Sequence, residues 1–257
     1  MAQSSLLPMT DNDTSVDLSR VAVIIPALNE AKSLAKLLPL LSEMSLGQIL
    51  VCDNGSTDDT SAVAQANGAT AVYEPQCGYG AACWAGMQRL EPQIEVVVFL
   101  DADLSDDPTL LPKLAVPILK DESDFVLGAR AAPLQEKGAM TFPQRFANRL
   151  FPLLMRIGWG YGYTDMGPFR AIRRTALDAI GMKDRAYGWT IEMQIRAVEL
   201  GLRIREIPVP YRKRVGSKSK VSGTIRGIIL AAWWISYTCV SLWLTKRRRA
   251  RGIADSR

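Results

Sequence analysis

The stretch Glu95-Val96-Val97-Val98-Phe99-Leu100-Asp101-Ala102-Asp103 is an unbroken apolar run that ends in two carboxylates one residue apart. A short β-branched run of this kind reads as a strand buried on both faces, as in a parallel α/β sheet. Two charges at the mouth of such a strand need water, hydrogen bonds or a cation. Open α/β sheets bind ligands at the carboxyl ends of their strands, which is where Asp101 and Asp103 fall. Two solvated aspartates ahead of a helix starting near Pro108 is the plainer reading.

On either side the chain alternates between strand and helix. Residues 21–25, 48–52, 70–73 and 125–128 read as further strands, and 203–209 as a last one. Between them, Leu34, Leu37, Leu38 and Leu41 fall at helical spacing behind Asn29, a candidate N-cap. Ser56 and Asp59 resemble a capping box before a helix over 62–67, and a further helix is expected over 108–120. Gly78-Tyr79-Gly80-Ala81-Ala82-Cys83 starts like a dinucleotide fingerprint, but its sixth residue is Cys83 and it follows a loop, which argues against NAD. Small residues opening a helix still allow backbone N–H groups to approach a phosphate or ribose. Five alternations imply a doubly wound sheet. From Gln144 the pattern changes to a longer helix carrying Arg145, Arg149 and Arg156, then a glycine-aromatic loop, 158–163, and helices near 175–180 and from Gly188 to Gly201.

Composition removes several chemistries. The chain has 257 residues and no histidine, so a His general base, a Ser-His triad and His-ligated metal are excluded. Its four cysteines show no C-x-x-C spacing, which argues against zinc and a disulfide framework and suits a reduced, cytosolic compartment. The net charge of +5 gathers after residue 202. Without a zinc-finger or RNP pattern, that points to phosphate or anionic lipid and not to nucleic acid. Residues 1–20 are polar and acidic and lack the features of a signal peptide; they read as a disordered lead-in.

Several motifs then coincide in order: Pro-Ala-Leu-Asn-Glu (26–30), Asp-Asn-Gly-Ser-Thr-Asp (53–58), Asp-Ala-Asp (101–103), Gly-Pro-Phe-Arg (167–170) and Tyr211-Arg-Lys-Arg-Val-Gly-Ser-Lys218. Over residues 20–225 the chain resembles a family 2 glycosyltransferase, nearest the dolichol-phosphate mannose synthase and bacterial polyprenyl-phosphate glycosyltransferase branch. That resemblance implies a GT-A type doubly wound mixed α/β sheet and inverting transfer of a hexose from a nucleotide-diphosphate sugar. It places Pro26, Leu28, Glu30 and Asp53 around the base and ribose, with Gly78 and Gly80 near the nucleotide. Asp101 and Asp103 would hold Mg²⁺ or Mn²⁺, a hard ion suited to oxygen ligands and a leaving diphosphate. Arg130, Arg145 and Arg149 would meet an acceptor phosphate. Arg212, Arg214, Ser217 and Lys218 would close over the diphosphate as a mobile loop. Asp165 and Glu192 are the remaining candidates for orienting acceptor or sugar, or for general base. Ser105 stands two residues after Asp103, where synthases of this branch often carry Gln.

Residues 227–245 contain no charge, nineteen positions that at about 1.5 Å each are just long enough for a ~30 Å hydrocarbon core. The following Lys246–Arg249 run and Arg226 flank opposite ends, which disfavours one complete span and favours a hydrophobic helix lying at the interface or packed on a partner through Gly227, Ala231, Thr238, Ser241 and Thr245, with a buried helix of a soluble protein as the other alternative. The expected plan is a lead-in to residue 20, a GT-A domain over 21–215, a basic loop and membrane-associating helix over 216–245 and a basic tail over 246–257. The expected partners are a nucleotide-diphosphate sugar, a lipid phosphate and a membrane surface, at its cytoplasmic face, with a homo-oligomer allowed. A hydroxyl acceptor on the same fold stays open, and less so a nucleotidyltransferase, which would want a basic Gly-rich loop after the first strand.

Overall fold

The computed structural model describes residues 17–140, 142–215, 233–234 and 236–246. Seven strands form one sheet in the order β3-β2-β1-β4-β6-β5-β7. β1 (Val21–Ala27), β2 (Gln48–Asp53), β3 (Thr70–Tyr73) and β4 (Val96–Phe99) run parallel, joined by α1 (Ala31–Ser42), α2 (Thr60–Ala66) and α3 (Tyr79–Met87). A 3₁₀ turn (Pro108–Leu110) and α4 (Leu111–Leu119) lead to β5 (Phe125–Gln135), which lies parallel to β7 (Ile204–Tyr211). Between β4 and β5 sits β6 (Arg170–Arg173), antiparallel to both, so the sheet is mixed. α5 (Phe142–Trp159), α6 (Arg174–Ile180) and α7 (Trp189–Glu199) complete the chain order.

The central strands bury both faces with period two. Val97 and Phe99 of β4 point with Ile24, Leu50 and Phe125 into the core shared with α3, α5, α6 and α7. Val96 and Val98 point with Val23, Ile25 and Val51 towards α1 and α4. A one-residue slip would exchange the two sets, and each fully buried Val or Phe contributes about 1.5–3 kcal/mol, so the register that puts Asp101 and Asp103 just past the strand is held firmly.

Several expectations change. Asn29 does not cap α1: it has a positive φ of 55°, and the N-cap position falls on Glu30. The Asn29 side chain instead ties the first strand-end loop to the second, accepting from Thr57 N at 2.7 Å, while Asn29 N donates to Ser56 Oγ at 2.8 Å. Ser56 is thereby used, and α2 begins at Thr60 with Asp58 accepting from Thr60 N at 3.1 Å; no capping box forms. β5 runs seven residues beyond the four expected, continuing on β7 through an irregularity between Arg130 and Gln135. β6 was not anticipated at all. Leu18, in the expected lead-in, is buried and accepts from Val21 N and Gly47 N at 2.9 and 3.3 Å.

Residues 236–246 are helical, with Cys239 and Leu242 buried in the core and Thr238 Oγ1 donating to Asp184 at 3.2 Å. Thr238, offered above as a contact for a partner, is thus used within the chain. Gly227 and Ala231 lie outside the described residues, so the nineteen-residue apolar segment is not described as one helix. Among the described residues, no helix is long and apolar enough to cross a membrane.

Candidate active site

The parallel strands deliver their carboxyl ends to one edge of the sheet. β1 ends beside β2 with Pro26 opposite Cys52, so the 26–30 and 53–58 loops start side by side. Pro26 and Leu28 are half-buried there. Asp53 is buried, and its two oxygens accept from Ser56 N at 2.8 Å and Ser61 Oγ at 2.5 Å. Glu30 is buried as well, with Oε2 accepting from Ser33 Oγ at 2.6 Å and Glu30 N donating to Thr60 Oγ1 at 2.9 Å. These bonds fix both carboxyl groups at the loop junction.

Past β4, Asp103 is buried and accepts from Ser105 N at 2.9 Å. Its Oδ2 meets Arg214 Nη2 at 2.9 Å, and the same nitrogen lies 3.4 Å from Glu30 Oε1. Asp101 is half-buried, and its pKa is raised by lost solvation and by the Asp103 charge close by; Arg214 and a hydrogen bond with Tyr79 oppose the shift. A carboxylate whose ionisation is made costly by a neighbouring carboxylate is a natural place for a cation. Among the described residues no set of three or more acidic or thiol side chains could hold a metal, and Asp101 and Asp103 offer two carboxylates. That number, completed by substrate phosphates and water, matches the habit of magnesium.

Arg130, at the end of the regular part of β5, faces Asp165 across a buried ion pair. Arg130 Nε reaches Oδ2 at 2.7 Å, Nη2 reaches Oδ1 at 2.8 Å, and the Arg130 backbone N–H adds a third bond at 3.0 Å. Asn148 of α5 closes the group: its amide donates to Asp165 Oδ1, and its carbonyl accepts from Arg130 Nη2 at 3.3 Å. Burial works against the Arg130 charge, but the Asp165 carboxylate more than offsets it and the guanidinium pKa is raised. A Cβ at Gly167 would stand 2.9 Å from Asp165 Oδ2 and 3.0 Å from the Gly128 carbonyl, so this close packing requires the glycine of Gly-Pro-Phe-Arg.

The family model for glycosyl transferase family 2 matches residues 22–181, which contain these loops and both carboxylates. The chain belongs to glycosyl transferase family 2. It is 38% identical over 214 residues to an uncharacterized glycosyltransferase of Mycobacterium tuberculosis, covering 82% of this chain and 94% of that one. Two relatives at 32% are the undecaprenyl-phosphate mannosyltransferase of Micrococcus luteus (81% of this chain, 90% of the relative) and the dolichyl-phosphate hexose transferase of Haloferax volcanii (79% and 87%). Among solved structures, glucosyl-3-phosphoglycerate synthase of Mycobacterium tuberculosis, in complex with Mn²⁺, uridine diphosphate and glucosyl-3-phosphoglycerate, superposes with a TM-score of 0.68. It is 23% identical, over 85% of this chain and 79% of that one, and supports the mixed α/β fold with a GT-A-like sheet.

As a family 2 glycosyltransferase, the chain brings together Glu30, Asp53, Asp101, Asp103 and Arg214, but it gives other expected residues different work. The N–H groups of Gly78 and Gly80 are taken, by Asn54 Oδ1 at 2.8 Å and Ala186 O at 3.2 Å. A Cβ on either glycine would meet the 184–186 backbone at 2.2 or 2.7 Å, so they are there for packing and their amides are not open to a nucleotide. Asp165 is filled by four donors and has no lone pair left for a substrate proton. Arg130 is bound to it and is not a free phosphate receptor, although its Nη1 has no hydrogen-bond partner among the described residues. Arg145 is exposed and turned to the Met140 carbonyl at 3.2–3.3 Å, and Arg149 is exposed on the same helix. Lys218 and Ser217 lie outside the described residues.

Glu192 is buried, and Oε2 accepts from Lys183 N at 2.9 Å and Asp184 N at 2.7 Å, which makes it the anchor of that turn and a poor general base. Glu192→Gln should therefore cost about 1.5–3 kcal/mol of stability, the usual range for hydrogen bonds to a charged group. Turnover by the folded variant should stay within a few-fold; a loss of ~10²–10⁴ in kcat with an unchanged melting temperature would restore the base. Residues that the sequence reading missed are Asn148, Tyr79 and Asp106. Asp106 is buried, its oxygens have no hydrogen-bond partner among the described residues, and burial pushes its pKa up strongly.

Proposed function

We propose that this protein is an inverting, metal-dependent glycosyltransferase that moves a hexose from a nucleotide-diphosphate sugar to a polyprenyl phosphate at the cytoplasmic face of a membrane. The observation that carries the acceptor reading is α5. One turn of it places Asn148 in the Arg130–Asp165 cluster. The next turns expose Leu150, Leu153, Leu154 and Ile157, at i, i+3, i+4 and i+7, with Arg145, Arg149 and Arg156 exposed and no acidic residue on the helix. Trp233, Tyr237, Val240 and Leu244 are exposed as well, and Lys246 Nζ bonds the Gly158 carbonyl at the end of α5 at 3.0 Å. An apolar face with a basic border suits an anionic lipid surface. The two relatives at 32% are named for lipid-phosphate acceptors, which favours the same class here.

In this reading Asp101 and Asp103 hold Mg²⁺ or Mn²⁺, which on binding would offset the charge that gathers on the leaving diphosphate. The chain's own residues do the rest. Glu30 and Asp53, fixed at the loop junction, orient the nucleoside end of the donor, and Arg214 supplies a guanidinium for the diphosphate. A lipid phosphate is already an anion at neutral pH and needs positioning and charge neutralisation, without a general base. That agrees with a chain lacking histidine and with the engaged state of Asp165 and Glu192. Arg130 Nη1, Arg145 and Arg149 are the groups left to meet the acceptor.

The test is a transfer assay with the full-length protein, Mn²⁺ and labelled nucleotide hexoses, offering polyprenyl phosphate, polyprenol and 3-phosphoglycerate in parallel. Label should enter only the polyprenyl-phosphate product, with inverted anomeric configuration. Leu153→Glu/Ile157→Glu should keep donor hydrolysis but lose flotation with anionic vesicles. Transfer to polyprenol or to the soluble phosphate in preference to polyprenyl phosphate would overturn the acceptor, and undiminished flotation would overturn the membrane face.

A further inference from the structure

Residues 211–215 form a strap across the loop that carries Asp101 and Asp103. Backbone bonds zip it down: Arg212 N donates to Ser105 O and Val215 N to Asp103 O, both at 2.8 Å, and Tyr211 bridges Asp106. Arg212 Nη2 pairs with Asp107 at 2.8 Å, and Lys213 N donates to Glu136 at 2.8 Å. At the centre of the strap the Arg214 guanidinium holds Asp103 Oδ2 at 2.9 Å and reaches Glu30 Oε1 at 3.4 Å. One cation thus spans the two ends of the donor site, the carboxylate pair past β4 and the loop after β1. Its Nε is buried without a hydrogen-bond partner among the described residues, so this posture leaves one strong donor unused. Leaving a buried donor unmade is costly, and an arriving anion that accepts from it would remove that cost.

We propose that Arg214 is an internal cation that competes with the metal for Asp103, so that ion and donor gain Asp103 and Glu30 only as the strap lets go. The inference rests on the reading of Asp101 and Asp103 as metal ligands. It adds an order to the cycle: the strap is latched on the carboxylates before the donor enters and is transferred to the diphosphate afterwards. The same arginine then guards the site against an ion without a nucleotide and rewards the ion that arrives with one.

The experiment measures Mn²⁺ binding to the full-length protein by electron paramagnetic resonance, without donor or acceptor. Arg214→Gln should bind Mn²⁺ about tenfold more tightly, equivalent to about 1.4 kcal/mol, while its transfer rate falls. Arg212→Gln removes the same charge two residues away on the strap, where it pairs with Asp107, and should change Mn²⁺ affinity less than twofold. In the parent protein, Mn²⁺ alone should speed trypsin cleavage after residues 212–214, and Mn²⁺ with uridine or guanosine diphosphate should slow it again. Equal gains in both variants would reduce the effect to general charge and overturn the proposal, as would a strap whose cleavage ignores Mn²⁺. If Mn²⁺ binds the parent in an Asp103-dependent way but Arg214→Gln is unchanged, the latch fails and the metal reading stands. If neither protein binds Mn²⁺, both are overturned.

Discussion

Asn in place of Asp103 should lower transfer by at least about three orders of magnitude while leaving a folded protein. A divalent ion at a leaving phosphate contributes several kcal/mol of charge stabilisation, and about 1.4 kcal/mol is tenfold in rate. Asp101→Asn should do the same, with a distinguishing sign in stability. The folded-state pKa of Asp101 is raised by burial and by the Asp103 charge, so the folded protein holds this proton more tightly than the unfolded chain. The resulting stabilisation is fully present below the unfolded value of about 3.9 and is lost as pH rises through the folded value. Near neutral pH the metal-free Asp101→Asn protein should therefore melt at or above the parent's temperature. Mn²⁺ competes with the same proton, so its affinity for the parent should rise with pH across that window. Turnover close to the parent's in either variant, or activity in the parent that survives a chelator, would remove the metal from the reading. Asp103→Asn also releases Arg214 from its carboxylate partner, so its loss of Mn²⁺ binding separates a ligand effect from a strap effect.

The parallel half of the sheet was legible because its code is local. The run Val96–Phe99 is a strand by composition, and Asp101 and Asp103 announce a ligand edge by standing where packing has no use for them. The 26–30 and 53–58 loops were also legible as motifs, but not their stitching through Asn29, Ser56 and Thr57, since a residue with a positive φ holding another loop looks in sequence like a helix cap. β6 was hidden for a different reason. Four residues, Arg-Ala-Ile-Arg, bear a charge at each end, and only the structure reveals that Arg170 is wholly buried, bonded to the Gly167 and Thr190 carbonyls. The insertion of an antiparallel strand between β4 and β5 is a non-local event that periodicity does not encode. The same holds for Asn148: one amide among the arginines of α5 carries no signal until Asp165, seventeen residues on, folds back against it. Asp106 did have a signal, as the third carboxylate in Asp101-Ala-Asp103-Leu-Ser-Asp106-Asp107.

The second large effect concerns Arg130. As a free phosphate receptor, its loss would weaken acceptor use and leave the fold alone. Its guanidinium is instead locked on Asp165, with side-chain exposures of only 8% and 4%, and is stacked over Tyr211 at 5.0 Å. Removing one member of a buried pair strands the other's charge and costs about 3–5 kcal/mol. For a chain of this size each kcal/mol shifts Tm by about 2–4 °C, so Arg130→Ala should melt about 6–20 °C below the parent. Loss of transfer in that variant alone would say little about the acceptor. Arg130→Met/Asp165→Leu separates the two roles, because exchanging both members of a buried pair for apolar groups is often neutral or stabilising. That double variant should recover most of the lost Tm, bind donor like the parent, and still fail to use polyprenyl phosphate. Recovery of transfer together with stability would make the pair purely structural and move the acceptor site to Arg145 and Arg149 on the open face of α5.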